Sequence, residues 1–259
     1  MNASSVYLLG HNGLGDNITM IGALRYLVTI YDKVYFICKE QFQKNVDDLL
    51  DCSSVITVPI KGFQEKRECK EILDALPPSV DVLISGACHR WYYASRISNQ
   101  ILLNYKQSTH NFKCDFHFIR EFYHDIHLDL SIYYDWFHIP SSPSSLKLYE
   151  TIQHKKIIFL HTKASNCEVT LGSIIEKYIS DEGYFIVCAN KNVYDPSSEN
   201  GVIAASYVNL VIRDYIDIIK HANQLHVVNS CFSCIVHILV NSGKVTPEQF
   251  KIYDRNERC

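Results

Sequence analysis

The chain predicts an α/β protein made of two doubly wound parallel sheets, one in each half. Three observations carry this. Short apolar runs alternate with amphipathic segments through both halves, a glycine loop joins the first run to the first amphipathic segment, and a Pro/Ser stretch interrupts the alternation near the middle. With 259 residues, 47% hydrophobic and 20% charged, the chain has room for one large domain or two small ones and enough apolar side chains to fill their cores.

The first run is Val6, Tyr7, Leu8 and Leu9. It breaks at His11, Asn12, Gly13, Leu14 and Gly15, and apolar residues resume at helical spacing with Ile18, Ile21, Leu24 and Leu27. This predicts a strand that turns through a glycine loop into a helix over about 16–31. Glycines let the backbone approach a ligand, and the free N–H groups of a helix start favour an anion there. Asp16 stands where an N-cap is expected. Residues 33–38 then read as a strand, 41–50 as a helix, 54–58 as a third strand, and 65–76 as a helix stopped by Pro77 and Pro78. Residues 80–85 read as a further strand, followed by Gly86. Parallel sheets of this kind bind ligands beyond the carboxyl ends of their strands, which is the edge where the glycine loop lies.

Between 88 and 139 the alternation fades and rings crowd together: His89, Trp91, Tyr92, Tyr93, His110, His117, Tyr123, His124, His127, Tyr133, Tyr134, Trp136 and His138. Such a set suits a sugar-binding wall, and it equally suits core packing. His124 and His127 lack a third ligand of defined spacing, so they do not read as a metal site. Ile139-Pro-Ser-Ser-Pro-Ser-Ser-Leu146 reads as a linker, which divides the chain into 1–145 and 146–259. Beyond it, strands are expected at 156–160, 184–188, 207–212 and 224–229, and helices at 169–180, 214–222 and 232–240.

A net charge of -3 without lysine runs argues against nucleic acid as a partner. No window reaches the roughly 18 apolar residues of a membrane span, and Met1-Asn-Ala-Ser-Ser lacks the basic start of a signal peptide, so a cytoplasmic protein is expected. The 10 cysteines are scattered, which is no disulfide framework. Cys231 and Cys234 form a CxxC without a second pair and read as structural thiols.

Two well-known glycine loops fail against this sequence. A dinucleotide fingerprint would want a small residue where Ile18 stands, and a P-loop would want Gly-Lys-Ser/Thr, which is not present. Gly13, Leu14, Gly15 and Asp16 before an apolar helix instead resemble the N-terminal loop of the heptosyltransferase-like glycosyltransferases. That resemblance implies two Rossmann-like domains facing a cleft (the GT-B type), the first holding the acceptor and the second the nucleotide-sugar donor. It also implies Asp16 as catalytic base, with Asn12, Gly13 and Gly15 beside the substrate.

The second half resembles the family at two places. His161-Thr-Lys-Ala-Ser-Asn166 is similar to the loop that touches the donor diphosphate, which implies donor-binding roles for Thr162, Lys163 and Ser165. Residues 226–237 are similar to the donor-site turn, implying roles for Asn229, Ser230, Ser233 and His237. Heptosyltransferases commonly carry Asn-Asp-Thr-Gly-Pro-x-His here, whereas this chain reads Asn229-Ser-Cys-Phe-Ser233, without the aspartate that contacts heptose. The Ser-x-Phe-Ser turn resembles some fucosyltransferase-like enzymes.

Sugar transfer needs a base, an N–H-rich or positive seat for the departing diphosphate, and exclusion of water. Asp16, Lys163 and the hydroxyls of Thr162, Ser165, Ser230 and Ser233 would supply the first two. No Asp-x-Asp occurs, so neither metal nor other cofactor is expected beyond the nucleotide sugar itself, with a glycan or other hydroxyl compound as acceptor. A direct base implies inversion at the anomeric carbon. A nucleotide-sugar epimerase, an inactive glycan- or nucleotide-binding protein, and an ordinary nucleotide-binding Rossmann protein fit the same layout.

Overall fold

The computed structural model describes residues 5–86, 117–165 and 167–254, the side chains of residues 117 and 118 aside. The chain divides into two compact units, residues 1–138 and 139–259.

The first unit opens with β1 (Ser5–Leu9), the short helices α1 (Leu14–Thr19) and α2 (Ile21–Leu27), then β2 (Lys33–Lys39), α3 (Glu40–Leu50), β3 (Val55–Ile60), α4 (Glu65–Ala75) and β4 (Asp81–Ile84). Its four strands lie in the order β3-β2-β1-β4, and every pairing is parallel. A parallel sheet is covered on both faces, so its strands read as apolar runs rather than strict alternation. One face packs Leu9, Ile37, Ile60, Val82 and Ile84 against Cys69 and Leu73 of α4. Val6, Leu8, Val34 and Phe36, which alternate with them, are equally buried.

Helices α5 (His117–Asp125) and α6 (Ser131–Asp135) complete the described part of this unit. The Tyr123 hydroxyl donates to Thr19 O at 2.9 Å and accepts from Ala23 N–H at 3.1 Å, so it bridges the break at Met20. That break splits the single helix expected over 16–31 into α1 and α2. Gly22 lies under this junction: a Cβ there would stand 2.7 Å from Ile132 O. The described part of the aromatic stretch is largely packing. Tyr123 and Tyr133 are buried and meet edge to face at 5.6 Å, while Trp136 sits against Tyr26 at 5.5 Å. His124, His127 and His138 are exposed. The sugar-wall residues His89, Trp91, Tyr92, Tyr93 and His110, and the His117 side chain, lie outside what is described.

The second unit contains α7 (Pro143–Ile152), β5 (Lys156–His161), a small hairpin of β6 (Lys163–Ala164) and β7 (Cys167–Glu168), α8 (Gly172–Tyr178), β8 (Tyr184–Cys188) and α9 (Glu199–Ala205). A 3-10 turn (Ile212–Tyr215), α10 (Ile216–His221), β9 (Gln224–Val228), α11 (Cys231–Asn241) and β10 (Gln249–Tyr253) follow. Its main sheet runs β10-β9-β5-β8, all parallel. All five residues of β9 are buried.

Three expectations differ from this architecture. The stretch expected as a linker is the start of α7: Ser142 caps it, accepting from Ser145 N–H at 3.0 Å, and Pro143 opens its first turn. Ser141 Oγ donates to the buried Asp217 carboxylate at 2.5 Å, and Ser145 Oγ accepts from Asp217 N–H at 3.0 Å. These bonds tie the Ser/Pro stretch to the second unit, and the division falls after His138 rather than near 145. The strand expected at 207–212 is absent. Asn209 takes a left-handed φ of 56°, and the Tyr215 hydroxyl, donating to Tyr207 O at 2.6 Å and accepting from Leu210 N–H at 3.0 Å, occupies the groups a strand neighbour would need. Finally, residues 249–253 add the edge strand β10, which the tail's alternation of exposed and half-buried residues hides.

Candidate active site

In the first unit the expected residues span the loop after β1 and the first turn of α1, at the carboxyl end of the strand that lies between β2 and β4 in the sheet. Gly13 itself, in extended conformation, caps α1, so Asp16 is not the N-cap; it falls in the first turn, where the helix dipole favours a carboxylate. The Asp16 side chain folds back over Gly13: a Cβ on Gly13 would stand 2.6 Å from Asp16 Oδ2. Gly15 follows inside the first turn of α1, and the Thr19 hydroxyl donates to Asp16 O at 2.6 Å. Asp16 is half-buried at the strand edge.

Asn12 is buried and faces α4. Its Nδ2 donates to Glu65 Oε1 at 3.0 Å, and Glu65 Oε2 pairs with Lys39 Nζ at 2.9 Å. Asn12 therefore anchors the loop rather than lying open beside it, and its Oδ1 is a buried acceptor without a hydrogen-bond partner. Lys39 ends β2 and Glu65 begins α4, so two charged residues reach this edge that the sequence reading passed over. Their signal was positional, a charged residue at the end of a predicted strand and another at the start of a predicted helix. His11 also stands here, packed over Gly86 and edge to face with Phe122 at 5.1 Å. Burial lowers its pKa, and the Glu65 charge opposes that shift. Gly86, at a φ of 93°, donates its N–H to the buried Asp125 carboxylate at 2.8 Å.

In the second unit the expected residues fall at the corresponding edge. Asn190 follows β8, and its Oδ1 accepts from Thr162 N–H at 2.8 Å and Lys163 N–H at 3.1 Å, fixing the backbone of the loop that leaves β5. Thr162 is buried, while Lys163 and Ser165 are exposed on the hairpin. Ser230 caps α11 and shares a capping box with Ser233, whose Oγ accepts from Ser230 N–H at 3.0 Å. The buried His161, last residue of β5, meets Ser230 Oγ with its Nδ1 at 3.1 Å, which links the two donor-type loops. Its ring rests on Phe232 at 4.5 Å, and burial holds its pKa down at about 4. It is neutral at pH 7.

Asn229 precedes the cap, half-buried, with its N–H donated to Tyr253 O at 2.9 Å. His237 lies at i+7 from Ser230, on the same helix face but two turns along, and burial lowers its pKa. Counted from Asn229, the histidine of the heptosyltransferase pattern falls on the buried Ile235, not on His237. Asn190 is the residue here that sequence reasoning missed; a lone asparagine after a strand carries no motif.

Among the described residues, no group of three or more His, Cys, Asp or Glu is placed to hold a metal ion, and no described cysteine, Cys231 and Cys234 included, is in a disulfide. No described helix is long and apolar enough to cross a membrane.

No family model and no curated protein sequence matches the chain. Solved structures do. The chain is similar to Escherichia coli ADP-heptose LPS heptosyltransferase II, with a TM-score of 0.53 and 11% identity over 96% of this chain and 90% of that one. It is similar to E. coli heptosyltransferase WaaC with ADP-2-deoxy-2-fluoro heptose, with a TM-score of 0.51 and 13% identity over 98% and 90%. It is also similar to the iron-containing dodecameric glycosyltransferase TibC of enterotoxigenic E. coli H10407, with a TM-score of 0.53 and 13% identity over 94% of this chain but 59% of that one. These are structures of the family to which the glycine loop pointed, and at these identities the likeness is one of fold.

Proposed function

We propose that the protein is a glycosyltransferase that moves a sugar from a nucleoside-diphosphate sugar to the hydroxyl of a glycan or other acceptor, with inversion and without a metal cofactor. The observation that carries this reading is the position of Asp16: a half-buried residue in the first turn of α1 whose carboxylate folds back over Gly13, beyond the carboxyl end of the strand between β2 and β4. Fold likeness to enzymes that use ADP-heptose supports it and makes ADP-linked sugars the first donors to try.

In this mechanism the acceptor lies at the first unit's strand edge. Its hydroxyl gives its proton to Asp16 as the oxygen bonds to the anomeric carbon, and the bond from that carbon to the diphosphate oxygen breaks, its electron pair leaving with the nucleoside diphosphate. The second unit offers groups suited to a diphosphate. Lys163 brings a full positive charge, and the hydroxyls of Ser230 and Ser165 and the free N–H groups at the start of α11 bring dipoles. Ser233 and Thr162 act indirectly, Ser233 by capping the helix and Thr162 by anchoring the loop through Asn190. Lys39 and Glu65 hold Asn12, and through it the glycine loop.

The test is incubation with a panel of nucleotide sugars and glycan acceptors, read by chromatography of the nucleotide. Acceptor-dependent release of nucleoside diphosphate is expected. An epimerised donor, or no change in any nucleotide sugar, overturns the reading.

A further inference from the structure

We propose that His161 is a positioning residue for the nucleotide sugar: its Nδ1–H donates to Ser230 Oγ, and this leaves the Ser230 hydroxyl proton free for a phosphate oxygen of the donor. The inference rests on the donor-side reading of the second unit and adds to it a residue and a tautomer.

His161 and Ser230 are 69 positions apart in sequence, yet Nδ1 and Oγ stand 3.1 Å from each other. The pair is geometrically fixed on both sides. The imidazole is buried at the end of β5 and packed on Phe232 with ring centroids 4.5 Å apart, so it cannot swing away. Ser230 is held as the cap of an 11-residue helix, and its own N–H is bound to Ser233 Oγ.

A neutral imidazole has one N–H, and its two tautomers make different sites of Ser230. With the hydrogen on Nε2, Nδ1 is an acceptor; Ser230 spends its single proton on it, and only oxygen lone pairs face outward. Those repel a phosphate oxygen. With the hydrogen on Nδ1, the imidazole and the Ser233 N–H both donate to Ser230 Oγ and the Ser230 proton turns outward, where only the weakly accepting Cys231 sulfur competes for it. An anion beside a helix start favours the second arrangement, because each donor aimed at it adds a charge-assisted hydrogen bond. The neighbouring loop does not compete for His161, since the N–H groups of Thr162 and Lys163 are already taken by Asn190.

The experiment measures binding of ADP, UDP and GDP by titration calorimetry to the wild-type chain and to three variants. His161→Phe keeps a ring against Phe232 and removes the donor, Ser230→Ala removes the hydroxyl, and His161→Asn places an amide N–H near the position of Nδ1. For the diphosphate that binds the wild type, His161→Phe and Ser230→Ala are each expected to bind about tenfold more weakly, the size of one lost charge-assisted hydrogen bond. The double variant is expected to be no weaker than the worse single one, and His161→Asn to recover binding to within about threefold. Thermal unfolding of each variant separates loss of the fold from loss of the bond. Unchanged affinity in a folded His161→Phe overturns the inference and leaves the donor-side reading standing; so do additive losses or no rescue by asparagine. Failure of every diphosphate to bind the wild type overturns the donor-side reading, and this inference with it.

Discussion

The Asp16 carboxylate lies directly over the Cα of Gly13, so close that a methyl group on Gly13 would stand 2.6 Å from Oδ2. Gly13 has a φ of -78°, which any residue can adopt. The glycine is required there by the neighbouring carboxylate and not by the backbone.

Gly13→Ala is therefore expected to lower stability only by about 1 kcal/mol or less, the difference between glycine and alanine at a helix N-cap, because the atom it meets is the end of a rotatable side chain. It should lower turnover by about tenfold or more by pushing the carboxylate aside. Thermal unfolding and the transfer assay, run on the same preparation, check the two halves of this expectation.

Asp16→Ala is expected to abolish transfer while donor binding stays within a few fold of wild type, since the base acts on the acceptor. Lys163→Ala is expected to weaken donor binding by several fold through loss of one cation near the diphosphate. Calorimetry and turnover distinguish them. Retained turnover in Asp16→Ala would leave that residue with only the role of favouring the helix start.

Gly22→Ala reads packing alone. The added Cβ meets Ile132 O at 2.7 Å, Tyr123 Oη at 3.0 Å and Tyr133 O at 3.2 Å, and two of these are backbone atoms that cannot step aside. A loss of about 1–3 kcal/mol in urea unfolding is expected.

Acid should weaken the second unit through two buried imidazoles. Burial lowers the pKa of His161 to about 4, and burial followed by the Lys251 charge lowers that of His226 to about 4. The unfolded chain takes up these protons near pH 6.5 and the folded chain only near 4, so the stability is whole above about pH 6.5 and falls as pH drops toward 4. Each imidazole contributes on the order of 3 kcal/mol across that window. Urea unfolding at stepped pH checks this, and His226→Gln should flatten the dependence in part, the His161 and His237 contributions remaining.

Much of the architecture was legible because buried parallel strands leave a strong mark. The runs at β1, β2, β5, β8 and β9 are mostly apolar, and each was found within a residue or two of its bounds. The strand expected at 207–212 fails for a local reason. Its apolar residues do not extend into a sheet, because Tyr207 and Tyr215 bury their rings and tie the backbone into turns. The linker reading failed because serines that look like solvent-exposed connection instead satisfy Asp214 and Asp217. The edge strand β10 escaped because Gln249–Tyr253 buries only its last residue fully.

By itself the sequence determined two successive strand-and-helix alternations, the glycine loop with Asp16 at its end, and the polar turns near Lys163 and Ser230. Such features are local: they follow from hydrophobic periodicity and from glycine and capping chemistry within a few residues. Only the tertiary structure decided that Asn12 is an anchor bound to Glu65, which Lys39 in turn pairs with, that Asn190 holds the Lys163 loop, and that His161 meets Ser230. These pairings join residues far apart in the chain that parallel crossovers bring to the strand edge of each unit's own sheet. A hydrogen bond across such a distance leaves no spacing in the sequence from which to read it.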